Sequence, residues 1–375
     1  MNRLGVAFDR WVARGDATPV DLGLYRVLFA LVVLLSPRDF RWVAQFPDSF
    51  VKGPAGPFWL LRRVPPEGVL VGLELLVGVS AAFLLVGLFT RTASIVLAVA
   101  LLGGYGTVYS LGKIDHNVFV ILVPVLLSFA RWGDAWSLDA LRRTPRDPAA
   151  PAPQWPLRLL ALLVGLGFLT AAVPKVLSGW LSPATHAVQG VMFTQYHVNG
   201  RTELLADRFV GVRDGFFWES VDVATVLLEG LLVVAVLSWR WWRVGIAIAC
   251  LFHLGVLLMM NIGFSINVVT YAAFVLWSRA PLLRRSTAGP GGARPPRRRP
   301  RPGSLVALAL LAAALGAFAA LRPEGWGVPR LDRGVVVAGA LVSAWYLLHV
   351  ARDLLGRSRG SRTVSVVDER AGARP

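Results

Sequence analysis

Residues 68–111 read GVLVGLELLVGVSAAFLLVGLFTRTASIVLAVALLGGYGTVYSL, and Glu74 and Arg91 are the only charged side chains among them. The stretch divides at Arg91 into two apolar runs, 68–89 and 93–111. Lipid offers no water to backbone N–H and C=O groups, so an apolar run of about 17–25 residues that enters a bilayer must close its hydrogen bonds as a helix. The rest of the chain repeats the pattern. Further runs cover 22–35, 117–129, 157–173, 221–238, 244–260, 264–277, 304–321 and 334–350. The expected fold is an all-α, polytopic transmembrane helical bundle with about ten spans.

Composition agrees. Of the 375 residues, 55% are hydrophobic and 16% charged, and mean hydropathy is +0.59. A soluble chain with that balance would expose large apolar patches. The net charge of +17 does not imply nucleic acid, because the basic residues lie between the apolar runs, where short cytoplasmic loops and tails put them. The lone cysteine, Cys250, excludes an intrachain disulfide and reads as a packing residue. The first residues lack the compact apolar core of a cleaved signal, so the first span is expected to stay in the mature chain.

Charge sets the expected orientation. Eight basic residues and no acid lie from Arg279 to Arg301, in a Pro/Gly-rich segment that predicts a disordered cytoplasmic linker drawn to anionic lipid headgroups. Alternation from there puts both termini in the cytoplasm of a multi-pass cell-membrane protein. It also turns 174–220 and the 112–116 turn to the exterior. One segment resists: 38–63 carries five basic residues yet falls outside, and Trp42, Phe46, Phe50, Phe58 and Trp59 suggest an amphipathic piece on the outer interface. The expected organisation is a membrane domain over 1–280, the Arg/Pro linker over 281–303, a separable helical pair over 304–351 and a cytoplasmic tail over 352–375.

Ionisable groups within spans are costly unless paired or wetted, and so they are functional candidates. Arg26 either snorkels to the interface or pairs with Asp21. Glu74, Glu229 and His253 lie deeper, as helix–helix partners or site residues. Tyr109, Asp115, His116, Lys175 and Asn261 come near the outer helix ends, and Lys175, after the apolar FLTAAVP, is a candidate base. There is no Walker loop, zinc spacing or nucleophile elbow. His186 and His197 are loop polar residues at no recognisable ligand spacing, and no metal site is expected.

Four segments, taken together and in order, resemble the horizontally-transferred-transmembrane-domain (HTTM) family, which includes vitamin K-dependent gamma-glutamyl carboxylase. They are DLGLYRVLFALVVLL, KIDHNVFVILVPVLLSFARW, FLTAAVPKVLSGWLSP and LFHLGVLLMMNIGFSINVVTYAAFVLW. The resemblance implies that Lys175 is a catalytic base toward a reduced, vitamin K-like quinone cofactor and that His116 assists. It gives Trp180 and His253 motif positions in the pocket, with Glu74, Tyr109, Asp115 and Asn261 as further candidates. The chain departs from the carboxylase in having Pro174 where a second lysine stands, and in lacking a large domain after the membrane helices. Three readings follow: a carboxylase-like or oxygen- and quinol-dependent lyase-type membrane enzyme, a non-catalytic scaffold or partner subunit, and a small-solute transporter. The bilayer is the expected partner, and no protein partner is indicated.

Overall fold

The computed structural model describes residues 3–36, 39–142, 150–279, 302–321 and 330–371. Every regular element among them is helical. The helices are α1 (Arg3–Ala13), α2 (Pro19–Leu35), α3 (Glu67–Val86), α4 (Thr90–Tyr109), α5 (Val118–Leu127), α6 (Leu138–Arg142), α7 (Trp155–Leu177) and α8 (Ala187–Phe193). They continue as α9 (Ala206–Val210), α10 (Gly215–Ala235), α11 (Trp239–Met260), α12 (Ser265–Tyr271), α13 (Pro302–Leu321) and α14 (Leu331–Ala371).

Among the described residues, six helical segments are long and apolar enough to cross a membrane: Glu67–Val86, Thr90–Tyr109, Trp155–Leu177, Trp239–Met260, Gly303–Leu321 and Leu331–Leu355. The chain is therefore a multi-pass integral membrane protein. The other four apolar runs are helical too, but α2 has 17 residues, α5 and α12 are shorter still, and α10 carries Glu219, Asp222 and Glu229.

Local chemistry sets the helix ends. Gly87 adopts φ 70°, a left-handed conformation that glycine reaches without Cβ strain, and stops α3. Asp139 then caps the start of α4, accepting from the backbone N–H groups of Phe89 (3.1 Å) and Thr90 (2.7 Å). Gly78 and Gly316 let α3 and α13 cross at backbone contact, since a Cβ on Gly78 would lie 2.2 Å from the Gly316 carbonyl oxygen.

Arg26 follows neither expected course. It is fully buried and donates to the carbonyls of Trp132 (3.2 Å), Ala135 (3.5 Å) and Trp136. Asp21 is engaged elsewhere: it closes a capping box with Thr18 and accepts from the Ser278 N–H at 2.7 Å. A guanidinium satisfies several converging carbonyls better than one carboxylate across a helix turn, because it presents five donors in a fixed fork.

At the same end Arg158 lies between the rings of Trp239 (3.9 Å) and Trp11 (4.7 Å) and donates to the carbonyl of Val236 at 2.7 Å. Arg243 and Arg279 both pair with Asp16, at 2.7 and 2.6 Å. Residues 39–66 include two short turns, Arg41–Gln45 and Asp48–Phe50, and Trp42, Phe46, Phe50 and Trp59 of this segment are exposed.

The last two helices pack against different neighbours. α13 lies on α3, while α14 runs along α11 and α12. Asp332 accepts from the Ser265 hydroxyl at 2.7 Å, and Arg333 pairs with Glu203. α14 continues to Ala371, past the expected end at 350. Residues 281–301 of the Arg/Pro linker, with their expected lipid contacts, lie outside the described residues, and 302–303 belong to α13.

Candidate active site

Lys175 stands in the last turn of α7, one residue after Pro174. Its ammonium is bonded to both oxygens of Glu229 on α10 and lies 5.0 Å from the ring centre of Trp180. Glu229 is buried and Lys175 only partly exposed, so the pair works in a poorly solvated place. In low dielectric the charged and neutral forms of such a pair are close in energy, because each ion's desolvation cost offsets their attraction.

A second group of polar side chains adjoins this pair. Tyr271, on α12, is fully buried, and its hydroxyl lies 3.0 Å from His253 Nε2 on α11 and accepts from Asn267 Nδ2 at 3.4 Å. In either His253 tautomer the Tyr271 hydroxyl bridges Nε2 to the Asn267 amide, since a hydroxyl can donate one hydrogen bond and accept two. His253 Nδ1 and Asn267 Oδ1 are buried and find no hydrogen-bond partner among the described residues. Both atoms belong to residues that bond the same Tyr271 hydroxyl through their other polar atom.

Aromatic rings link the groups. Phe168 lies two turns before Lys175 on α7 and contacts the rings of His253 (6.1 Å) and Tyr271 (6.5 Å). Phe264 stacks on His253 at 4.6 Å and meets His116 at 4.9 Å. Glu229 is an electrostatic neighbour of Tyr271, and His116 of His253. His116, Phe264, His253, Tyr271 and Phe168 thus form one run of ring contacts, and Phe168 shares α7 with Lys175.

His116 belongs to the loop before α5. Burial holds its imidazole below the ordinary histidine value, against the opposing pull of Asp115 and Asp332. The ring is thus neutral at pH 7. Asp115 accepts from the Asn117 N–H at 2.8 Å and from the Tyr109 hydroxyl at 3.3 Å, which fixes the turn bearing His116.

Of the residues singled out in the sequence, Lys175 meets Trp180, and His116 meets His253 through Phe264, with Tyr109 and Asp115 behind His116. Asn261 contributes through its backbone: it ends α11 at φ 51°, and its carbonyl accepts from Arg201 at 3.3 Å. Glu74 is engaged elsewhere, accepting from the Phe40 N–H at 2.7 Å and pairing with Arg41 at 3.3 Å. It thereby pins the 39–66 segment to α3.

Sequence reasoning passed over Tyr271, Asn267 and Phe264 as site residues, because neutral side chains in an apolar run raise no alarm. Glu229 was visible as a buried acid, but its pairing with Lys175 spans 54 positions. Residues 180–218 also depart from a plain polar loop. Val188, Met192, Ala206 and Trp218 form a small core with Met260, capping the Lys175 end of α7.

A family model for the HTTM domain matches residues 16–278, from the loop before α2 to the turn after α12. The chain belongs to the HTTM-domain family. The shared HTTM domain contains every residue of the site above and excludes α1, α13 and α14. In the same comparisons no curated protein and no solved structure matches this chain.

Proposed function

We propose that this HTTM protein is a membrane enzyme that binds a reduced, quinone-type lipid cofactor between Lys175–Glu229 and the His253–Tyr271–Asn267 group. The observation that carries the reading is the pair of unpartnered buried atoms, His253 Nδ1 and Asn267 Oδ1, beside an ion pair of low solvation. Two polar atoms so buried cost about 1–3 kcal/mol each unless a bound group completes them. A hydroxylated ring suits the need, since it both donates and accepts and has an apolar face for Phe168 and Phe264.

When bound, a quinol would supply an acidic hydroxyl and a store of two electrons. The chain's own part is to manage a proton. Glu229 takes one from Lys175 within their shared hydrogen bonds, which leaves Nζ with a free lone pair as general base. Trp180 shields that amine from water. The Tyr271 hydroxyl and His253 orient the ring, and neutral His116 stands at the Phe264 side to donate or accept one hydrogen bond.

The basic residues gather where α7 and α11 begin, and the Lys175 cap lies at the other end of α7, so the positive-inside pattern supports an exterior-facing site. α14 supports cytoplasmic placement of both ends: it starts beside Ser265 and Glu203, and Tyr346 lies near Asp16 and Arg243.

The test is native mass spectrometry of the detergent-purified chain, comparing retained quinone in wild type and Lys175→Met. Retention by wild type and at least a tenfold loss in a variant that elutes as the wild type does supports the reading. No quinone in the folded wild type after incubation with menaquinol rejects it and favours a scaffold protein.

A further inference from the structure

Asp222 lies two turns before Glu229 on the same face of α10, about 10 Å away along the axis. It is fully buried, and its two oxygens accept from the backbone N–H groups of Ala187 (2.8 Å) and Val188 (2.7 Å) at the start of α8. Those bonds fix the carboxylate while leaving each oxygen further acceptor capacity. Glu219 stands one turn earlier, and His186 immediately precedes α8. One ring nitrogen of His186 and one carboxylate oxygen from each of Glu219 and Asp222 all lie within 4.8 Å of one another.

These groups do not satisfy one another. His186 Nδ1 and Glu219 Oε2 are buried atoms without a hydrogen-bond partner among the described residues. Three ligand atoms within 4.8 Å of one another need only small side-chain shifts to reach the spacing set by bonds of about 2.0–2.2 Å to one ion.

We propose that His186, Glu219 and Asp222 form a divalent-cation site. An imidazole nitrogen with two carboxylate oxygens and no thiolate suits a first-row ion such as Zn²⁺ or Mn²⁺. Three protein ligands leave at least one position for water or for an oxygen of a bound substrate. The site ties the 180–218 cap to α10, two turns from the Lys175–Glu229 pair, and it stands independently of the quinol reading. Ligand spacing in the sequence conceals it, because His186 and the carboxylates come from separate helices.

The full chain, purified in detergent and stripped with a chelator, is dialysed against Zn²⁺ or Mn²⁺ alone, then assayed for bound metal and thermal midpoint. The expected result is one cation per chain and a raised midpoint, since an ion that binds only the folded state stabilises it. His186→Asn and Glu219→Gln should each weaken binding by about tenfold or more. Both should unfold near the wild-type midpoint without metal, because the atoms they remove have no partner there. Asp222 is left intact, as it also anchors α8. The proposal fails if folded wild type binds neither ion, or if both variants bind as wild type does. It also fails if Glu219→Gln lowers the metal-free midpoint while metal has no effect, which would make Glu219 a plain ion-pair partner.

Discussion

The two ends of this bundle hold different kinds of buried polar groups. At the arginine end, Arg26 and Arg158 donate through their terminal nitrogens to carbonyls, and the rings of Trp11 and Trp239 enclose Arg158. Of the three nitrogens of each guanidinium, only Nε is buried without a hydrogen-bond partner. At the lysine end, His253 lacks a partner at one of its two ring nitrogens and Asn267 at its acceptor oxygen. The first arrangement staples helix ends together. The second keeps hydrogen-bonding capacity in reserve, which is what a binding site requires.

That contrast yields opposite mutational outcomes for residues of equal burial. Arg26→Leu should be the more damaging, because it strips three carbonyls of their donor inside the bundle. The expected loss is about 3–5 kcal/mol, enough to deplete folded protein in fluorescence-detected size-exclusion chromatography. Arg26→Lys should recover only part of it, since an ammonium cannot span the fork. A folded Arg26→Leu variant with a wild-type midpoint would show that the staple contributes nothing.

Asn267→Leu tests the other end and should change stability by less than about 1 kcal/mol in either direction. The amide gives up one long hydrogen bond, to the Tyr271 hydroxyl at 3.4 Å, and an acceptor that had no partner. Quinone retention should nonetheless fall severalfold. A stability loss as large as that of Arg26→Leu would mean that Asn267 belongs to the scaffold and not to the site.

Much of the fold was legible because hydropathy acts over whole segments: each of the ten apolar runs is helical, from 22–35 to 334–350. The count of true spans was less legible, since α5 and α12 are short and α10 is charged. Within the site, Lys175 and His116 stood out by charge and by family resemblance. Glu74 carried the same signal yet proved to anchor Phe40 and Arg41, because burial and charge alone do not say which partner a carboxylate will meet. Tyr271 and Asn267 gave no signal, as their role comes only from where α12 packs. His186 needed Glu219 and Asp222 beside it, and that adjacency is created by folding.

The smallest effect belongs to Asp16, at the arginine end but near its surface. Burial pushes its carboxyl upward, and the hydrogen bond from Arg243 with the charges of Arg243 and Arg279 outweighs that push, so the group lies below its ordinary value. A carboxyl depressed on folding binds fewer protons in the native state through that window. Its contribution is complete above the ordinary carboxylate value and is lost as pH falls through the depressed one. The side chain is 39% exposed, so solvent screening limits the pair to a few tenths of a kcal/mol up to about 1 kcal/mol. Thermal midpoints followed from pH 6 down to about pH 3 should therefore drop less steeply for Asp16→Asn than for wild type. The difference should shrink in high salt, because Asp16 faces water. A salt-independent difference would place this contact with Arg26 among the buried staples, and the boundary between the two kinds of polar group would move outward.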